Sequence, residues 1–255
     1  MLRHNKYYKL IGQIKLQKNI LLITGWGATC SVWERIIPAL DKGCQINCIP
    51  PSWIGDNKYG SLSDIENYVD NLADSLLSPV TIIAWSMGGL VAIKLASRYP
   101  DLVSNLCFIS SVPNFVSTDK ENSGIDFDWF TQFEMNFDAA PIETMKKFLV
   151  LQTMNDEFAK DTLKAIRKHV APEKYDLNEC RNGLELLRLN LSQELVSLKC
   201  KKLFIHGDVD AVVNFQTAIN AADLTKSQCF IIEGAGHVPH LSHAAQVSDI
   251  LHSHL

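Results

Sequence analysis

The 255-residue chain has no C-x-x-C pair, although it carries seven cysteines, at 30, 44, 48, 107, 180, 200 and 229. That absence excludes a thioredoxin-like redox motif. The cysteine count is odd and the spacing scattered, and Cys107 and Cys229 stand inside the apolar runs LCFIS and QCFII. Buried free thiols in a reducing cytosol are expected, and with them a cytoplasmic location. Long hydrophobic runs are missing too. The N-terminal stretch MLRHNKYYKLIGQIKLQKNILLITGWG has unbroken apolar runs of about five residues, too short for a secretory leader. Nothing approaches the ~20 apolar residues of a membrane span. An excess of positive charge is also lacking. The balance of 24 basic and 28 acidic residues gives a net charge of −4, with no reason for the surface to bind nucleic acid. Zinc-finger spacing, a Walker loop and RNA-binding motifs are all absent. The expectations are no membrane, no nucleic acid, no cofactor and a monomeric chain.

What is present is a 47% hydrophobic composition, ample for a large core. Six strand-length apolar runs each end in a turn signal: NILLITG (19–25), CQINCIP (44–50), VTIIAW (80–85), NLCFIS (105–110), KLFIHG (202–207) and QCFIIEG (228–234). Helical patterns lie between them, such as SLSDIENYVDNLADSLL (61–77), where Ser63 and Glu66 fit a capping box. Strands alternating with helices predict an α/β fold, a mostly parallel sheet with helices on both faces. The alternation stops near residue 112. The stretches 145–170 and 182–198 read as helices, so an α-helical lid is expected at about 113–198, entered through Pro113 and the polar residues 117–124. Insertions at the carboxyl edge of such sheets lie where ligands bind. A separate helical domain is the alternative, and one α/β domain over 1–255 is the reading adopted.

The segment AWSMGG (84–89) joins a strand run to a helix run. It is close to the G-x-S-x-G elbow, in which a sharp turn needs small residues two before and two after an exposed serine. Ala84 and Gly88 meet that need around Ser86. A serine hydroxyl is a poor nucleophile without a base, and the base needs an orienting carboxylate. In this arrangement the chain order is serine, acid, histidine. LFIHGDVDAVV (203–213) offers Asp208 and Asp210, and GAGHVPHLS (234–242) offers His237. The acid is assigned to Asp210, with Asp208 shaping the turn; the reverse assignment is the alternative. An oxyanion hole needs two backbone N–H groups. Met87, after the serine, supplies one, and Trp26 in TGWGA (24–28) the other. His237, His240 and His243 recur at three-residue intervals. No H-E-x-x-H or nearby carboxylate set completes a catalytic metal site, so no metal is expected.

With these residues in view, the chain resembles the α/β-hydrolase superfamily over its full length. It looks closest to the pimeloyl-[acyl-carrier protein] methyl ester esterase family of biotin synthesis, the BioH family. The matching segments are GWGATCSVW (25–33), WSMGGLVA (85–92), FLVLQTM (148–154), NGLELL (182–187), GDVDAVV (207–213) and GHVPHLSH (236–243). The resemblance implies Ser86, Asp210 and His237 as the triad and Trp26 and Met87 as oxyanion donors. It further implies that Trp26, Trp85 and Phe148 bind substrate, the plain alternative for Trp85 and Phe148 being core packing. Thr24 and Ala84 differ from the usual histidine and glycine, which bears on substrate fit. Residues 146–168 hold six basic and three acidic side chains, a local +3 on an acidic chain. Lys160, Lys164 and Lys168 share one helix face. The resemblance implies that Lys147, Lys160 and Lys164 bind an acidic acyl carrier protein, while Glu143 stands where another base would be expected. The implied activity is hydrolysis of a carrier-bound methyl ester. A broad carboxylesterase or thioesterase, and a non-catalytic hydrolase-fold binding protein, are the rival readings.

Overall fold

The structure is a computed structural model that describes residues 18–40, 43–49, 63–117, 124–169 and 176–255. The N-terminal stretch, part of the polar lid entrance and the Ser63 side chain of the capping box lie outside the described residues. Six parallel strands form the main sheet: β1 (Lys18–Ile23), β2 (Cys44–Ile49), β3 (Val80–Trp85), β4 (Val103–Ile109), β7 (Lys201–Gly207) and β8 (Gln228–Ile232). Their spatial order is β2-β1-β3-β4-β7-β8. All six correspond to the apolar runs of the sequence. β5 (Val116–Ser117) and β6 (Ile125–Asp126) make a small separate pair.

Strand side chains alternate between two cores, because neighbouring residues point to opposite faces. Leu21, Ile23, Ile82, Ala84, Leu106, Phe108 and Phe204 face one cluster. That cluster is covered by α2 (Ser63–Ser75), α3 (Gly88–Arg98) and α9 (Phe215–Thr225). Ile20, Leu22, Ile83, Trp85, Cys107, Ile109, Leu203 and Ile205 face the other. It is covered by α1 (Ile37–Leu40), α10 (Pro239–Ser242) and α11 (Ala244–His254). Burial on both faces explains why β3 reads as an unbroken apolar run.

Between β4 and β7 the described residues form five helices: α4 (Phe127–Ala139), α5 (Pro141–Gln152), α6 (Ala159–His169), α7 (Leu177–Leu186) and α8 (Ser192–Ser197). The structure corrects the two long helices read there. The 145–170 stretch breaks after Gln152, where Asn155 takes a positive φ of 64° and Asp156 turns its carboxylate inward. The 182–198 stretch breaks after Leu186, where Leu191 N–H donates to Pro113 O and Asn190 bridges Asn114. α4 was not foreseen; its start is fixed by Asp126, whose side chain accepts from Trp129 N–H.

The cysteine reading is also corrected. Cys30 and Cys48 form a disulfide. The parallel β1–β2 pairing sets Cys48 opposite Leu22, and the chain after β1 folds back over that end of the sheet. Of the free thiols, Cys107 and Cys180 are buried, whereas Cys44, Cys200 and Cys229 are only partly so. Burial raises the Cys107 thiol far above its ordinary value and pushes Cys180 up to about 12. Neither is a thiolate at neutral pH, so neither is an activated nucleophile.

Candidate active site

Because the strands are parallel, their carboxyl ends share one edge, and four site residues follow four strands there. Trp26 comes after β1, Ser86 after β3, Asp210 after β7 and His237 after β8. Ser86 has φ 53°, a left-handed conformation that costs a non-glycine residue about 1–2 kcal/mol. Its peptide is pinned on both sides. Ser86 N–H donates to Ile109 O at 3.0 Å, and Ser111 Oγ donates to Ser86 O at 2.6 Å. The turn has no room for bulk: a Cβ on Gly88 would lie 2.7 Å from both Ile23 O and Thr24 O. Ala84 is tolerated because its methyl points into the core and is fully buried.

Ser86 Oγ lies 2.9 Å from His237 Nε2, and His237 Nδ1 lies 2.7 Å from Asp210 Oδ2. An ionised carboxylate only accepts, so Nδ1 carries the proton and Nε2 is left to accept from the hydroxyl. Asp210 Oδ1 accepts from Val212 N–H at 2.8 Å and Val213 N–H at 3.0 Å. Burial by itself would raise the Asp210 carboxyl. The facing His237 and hydrogen bonds from His206 and His237 outweigh it and hold the group well below the usual carboxylate range. Asp208 is engaged elsewhere, accepting from Gly234 N–H at 2.7 Å, which ties the β7 and β8 loops together.

The backbone N–H groups of Trp26 and Met87 have no protein acceptor among the described residues. The Trp26 indole donates to Cys180 O of α7 at 2.7 Å. Its ring meets Phe133, Phe137 and Phe148 edge-on at centroid distances of 5.4–5.9 Å. Phe148 thus joins an aromatic group around Trp26. Trp85 does not: it points to the opposite core, is fully buried, and its indole donates to His237 O at 2.9 Å. The packing reading holds for that residue, because strand alternation sends it away from Ala84's face. Lys147 on α5 and Lys160 and Lys164 on α6 are exposed. His240 is buried between Trp33 and Trp85, and His243 bonds Ser242 Oγ, so neither joins His237. No group of three potential metal ligands occurs among the described residues.

Five contributors were not foreseen. Phe133 and Phe137 belong to α4, which was not recognised as a helix. His206 bonds Asp210, and its only signal is a histidine inside an apolar strand run. Asp156 accepts from Gly236 N–H at 2.8 Å, and Gln152 O accepts from His237 N–H at 3.0 Å.

A family model described as the Alpha/beta hydrolase family matches residues 20–250. The chain belongs to this family. Among curated proteins, this hydrolase is 29% identical to the pimeloyl-[acyl-carrier protein] methyl ester esterase of Klebsiella pneumoniae, over 89% of each chain. It is also 29% identical to the biotin biosynthesis bifunctional protein BioHC of Teredinibacter turnerae, over 92% of this chain but only 44% of that longer protein. Among solved structures, the enol-lactonase of Burkholderia xenovorans superposes with a TM-score of 0.78 at 16% identity, over 93% of this chain and 90% of that one. That likeness shows the fold. With the family match and esterase relatives, the chain is a serine ester hydrolase.

Proposed function

We propose that this hydrolase removes the methyl group of a pimeloyl-[acyl-carrier protein] methyl ester, releasing methanol and the free carboxylate, in biotin synthesis. The observation that carries the reading is the hydrogen-bonded line from Ser86 through His237 to Asp210, together with the aromatic group that Phe133, Phe137 and Phe148 form around Trp26 of the oxyanion loop. The relatives named for that reaction narrow the substrate.

In the proposed sequence, Ser86 Oγ attacks the ester carbonyl while His237 Nε2 takes its proton. Asp210 keeps the proton on Nδ1 and stabilises the imidazolium that forms. The Trp26 and Met87 N–H groups hold the oxyanion. The tetrahedral intermediate collapses as His237 returns the proton to the departing methoxide. His237 then deprotonates water, which attacks the acyl-enzyme and regenerates Ser86. The helices between β4 and β7 act as a lid on one α/β domain. The aromatic group receives the apolar acyl chain, and Lys147, Lys160 and Lys164 attract the acidic carrier. A monomer is part of the same proposal. No helix among the described residues is long and apolar enough to cross a membrane.

The test compares turnover of the carrier-bound methyl ester with that of the free methyl ester by the purified protein. A preference of at least about tenfold in kcat/KM for the carrier form is expected. Equal turnover would leave a broad carboxylesterase. Failure of a fluorophosphonate to label Ser86 would leave a non-catalytic binding protein.

A further inference from the structure

His206 is the penultimate residue of β7, and its ring is fully buried. Its Nε2 lies 2.9 Å from Asp210 Oδ2 and 3.0 Å from Val213 O. Both partners accept, so Nε2 must carry a hydrogen. Its Nδ1 is buried with no hydrogen-bond partner among the described residues. Protonating the ring would bury a second N–H with no acceptor, a cost of a few kcal/mol. The ring is therefore held neutral, with its hydrogen on Nε2. Asp210 Oδ1 then accepts from Val212 and Val213 N–H and Oδ2 from His237, while the single His206 Nε2–H is shared between Val213 O and Oδ2.

We propose that His206 is a positioning residue for the hydrolysis, a neutral second imidazole that shares Oδ2 of Asp210 with His237, fixing the carboxylate and restraining the basicity of the catalytic ring. The proposal rests on the triad reading above. A carboxylate oxygen bonded to two donors disperses its charge over both. Without His206, the charge on Oδ2 would act on His237 alone, and the imidazolium would persist to higher pH. The base must be neutral to accept the Ser86 proton, so the acid limb of the rate profile would move upward. Among the described residues, the titratable groups touching His237 are Asp210 and the Ser86 hydroxyl. Asp156 of the lid accepts from Gly236 N–H, next to His237, and from Phe158 N–H. Among the described residues, the charged group touching His206 is Asp210.

The test has two parts. The first is the pH dependence of kcat/KM on p-nitrophenyl acetate for the native enzyme, His206→Phe and His206→Gln, each normalised to sites titrated by a fluorophosphonate. His206→Phe should lower kcat roughly tenfold and raise the acid limb by about half a pH unit or more. His206→Gln, whose amide can donate to Oδ2, should recover most of both. An unmoved limb in the phenylalanine variant, or a glutamine variant as shifted as phenylalanine, overturns the proposal, since a merely structural residue would change the folded fraction and not the limb. The second part needs no variant and no turnover: nitrogen NMR of histidine-labelled native protein. At neutral pH, His206 should carry its hydrogen on Nε2 and leave Nδ1 bare. A ring that carries its hydrogen on Nδ1 overturns the proposal even if the phenylalanine variant does not fold. Native protein that leaves the ester untouched would sink the esterase reading instead, and the NMR result would still decide the state of His206.

Discussion

Ser86 holds a strained backbone between Ile109 and Ser111, and that strain presents its hydroxyl to His237. Ser86→Ala keeps the turn and removes the nucleophile. It and, separately, His237→Ala should each lower kcat by on the order of 10³-fold or more, because the two act as one unit. Retention of a tenth of native activity in Ser86→Ala would defeat the assignment. The two aspartates separate on different grounds. In Asp210→Asn, an amide that keeps its oxygen on the Val212 and Val213 N–H groups turns its NH2 toward two imidazole donors. His237 is then driven to the wrong tautomer, and activity should fall roughly 10³-fold or more. Asp208→Asn retains an oxygen for Gly234 N–H and should cost less than about threefold, since a neutral hydrogen bond contributes only ~1 kcal/mol. Reversed outcomes in steady-state assays would make Asp208 the acid. Ser86, Asp210 and His237 are legible in the sequence because each follows a strand-length apolar run with small residues nearby. His206 is not, because its role comes from a turn that returns Asp210 and Val213 to the same ring.

At the scale of elements, the lid helices differ in what fixes them. α4 is held by ion pairs to α7 and to the turn after it: Arg181 Nε of α7 donates to Asp138 Oδ1 at 2.8 Å, and Arg188 Nε, beyond α7, donates to Glu134 Oε2 at 3.2 Å. α5 and α6 carry the exposed lysines. Each lysine would contribute ~0.5 kcal/mol to holding an acidic partner. The triple change Lys147→Glu, Lys160→Glu, Lys164→Glu substitutes repulsion for attraction within a Debye length of ~8 Å. It should lower kcat/KM for a carrier-bound ester at least ~10-fold, about 1.4 kcal/mol, and leave a small uncharged ester nearly unaffected. Equal losses on the two substrates would point to a damaged lid, and no loss to a merely solvated helix face. The central strands were legible because burial on both faces forces continuous apolar runs, whereas the edge strands β2 and β8 are only partly buried and were read from their apolar runs and turn signals. The lid breaks at 153–158 and 187–191 were not, because helical period continues through them. What stops the helices is tertiary: Asp156 and Gln152 serve the histidine loop, and Leu191 N–H serves Pro113.

For the whole molecule, the Cys30–Cys48 bridge joins the segment after the oxyanion loop to the end of the edge strand β2 across a separation of 18 residues. A loop of that size restricts the unfolded chain by about 3 kcal/mol in the chain-entropy account. A Cys30→Ser, Cys48→Ser variant should melt roughly 6–12 °C lower than the oxidised protein in calorimetry, given about 2–4 °C per kcal/mol at this length. Equal Tm values would mean that the link does not constrain the chain in solution. The sequence did not announce the pair, because odd, scattered cysteines carry no pairing signal until β1 and β2 are aligned. The contacts between the lid and the histidine loop reach further. Gln152 O, Asp156 Oδ2 and Glu157 N–H are bonded to His237 N–H, Gly236 N–H and Gly234 O. Two stretches nearly eighty positions apart along the chain therefore have to be inherited together. A recombination crossover between residues 158 and 234 would give the roof from one parent and the base from another, and such chimaeras should lose turnover even where both parents share the triad.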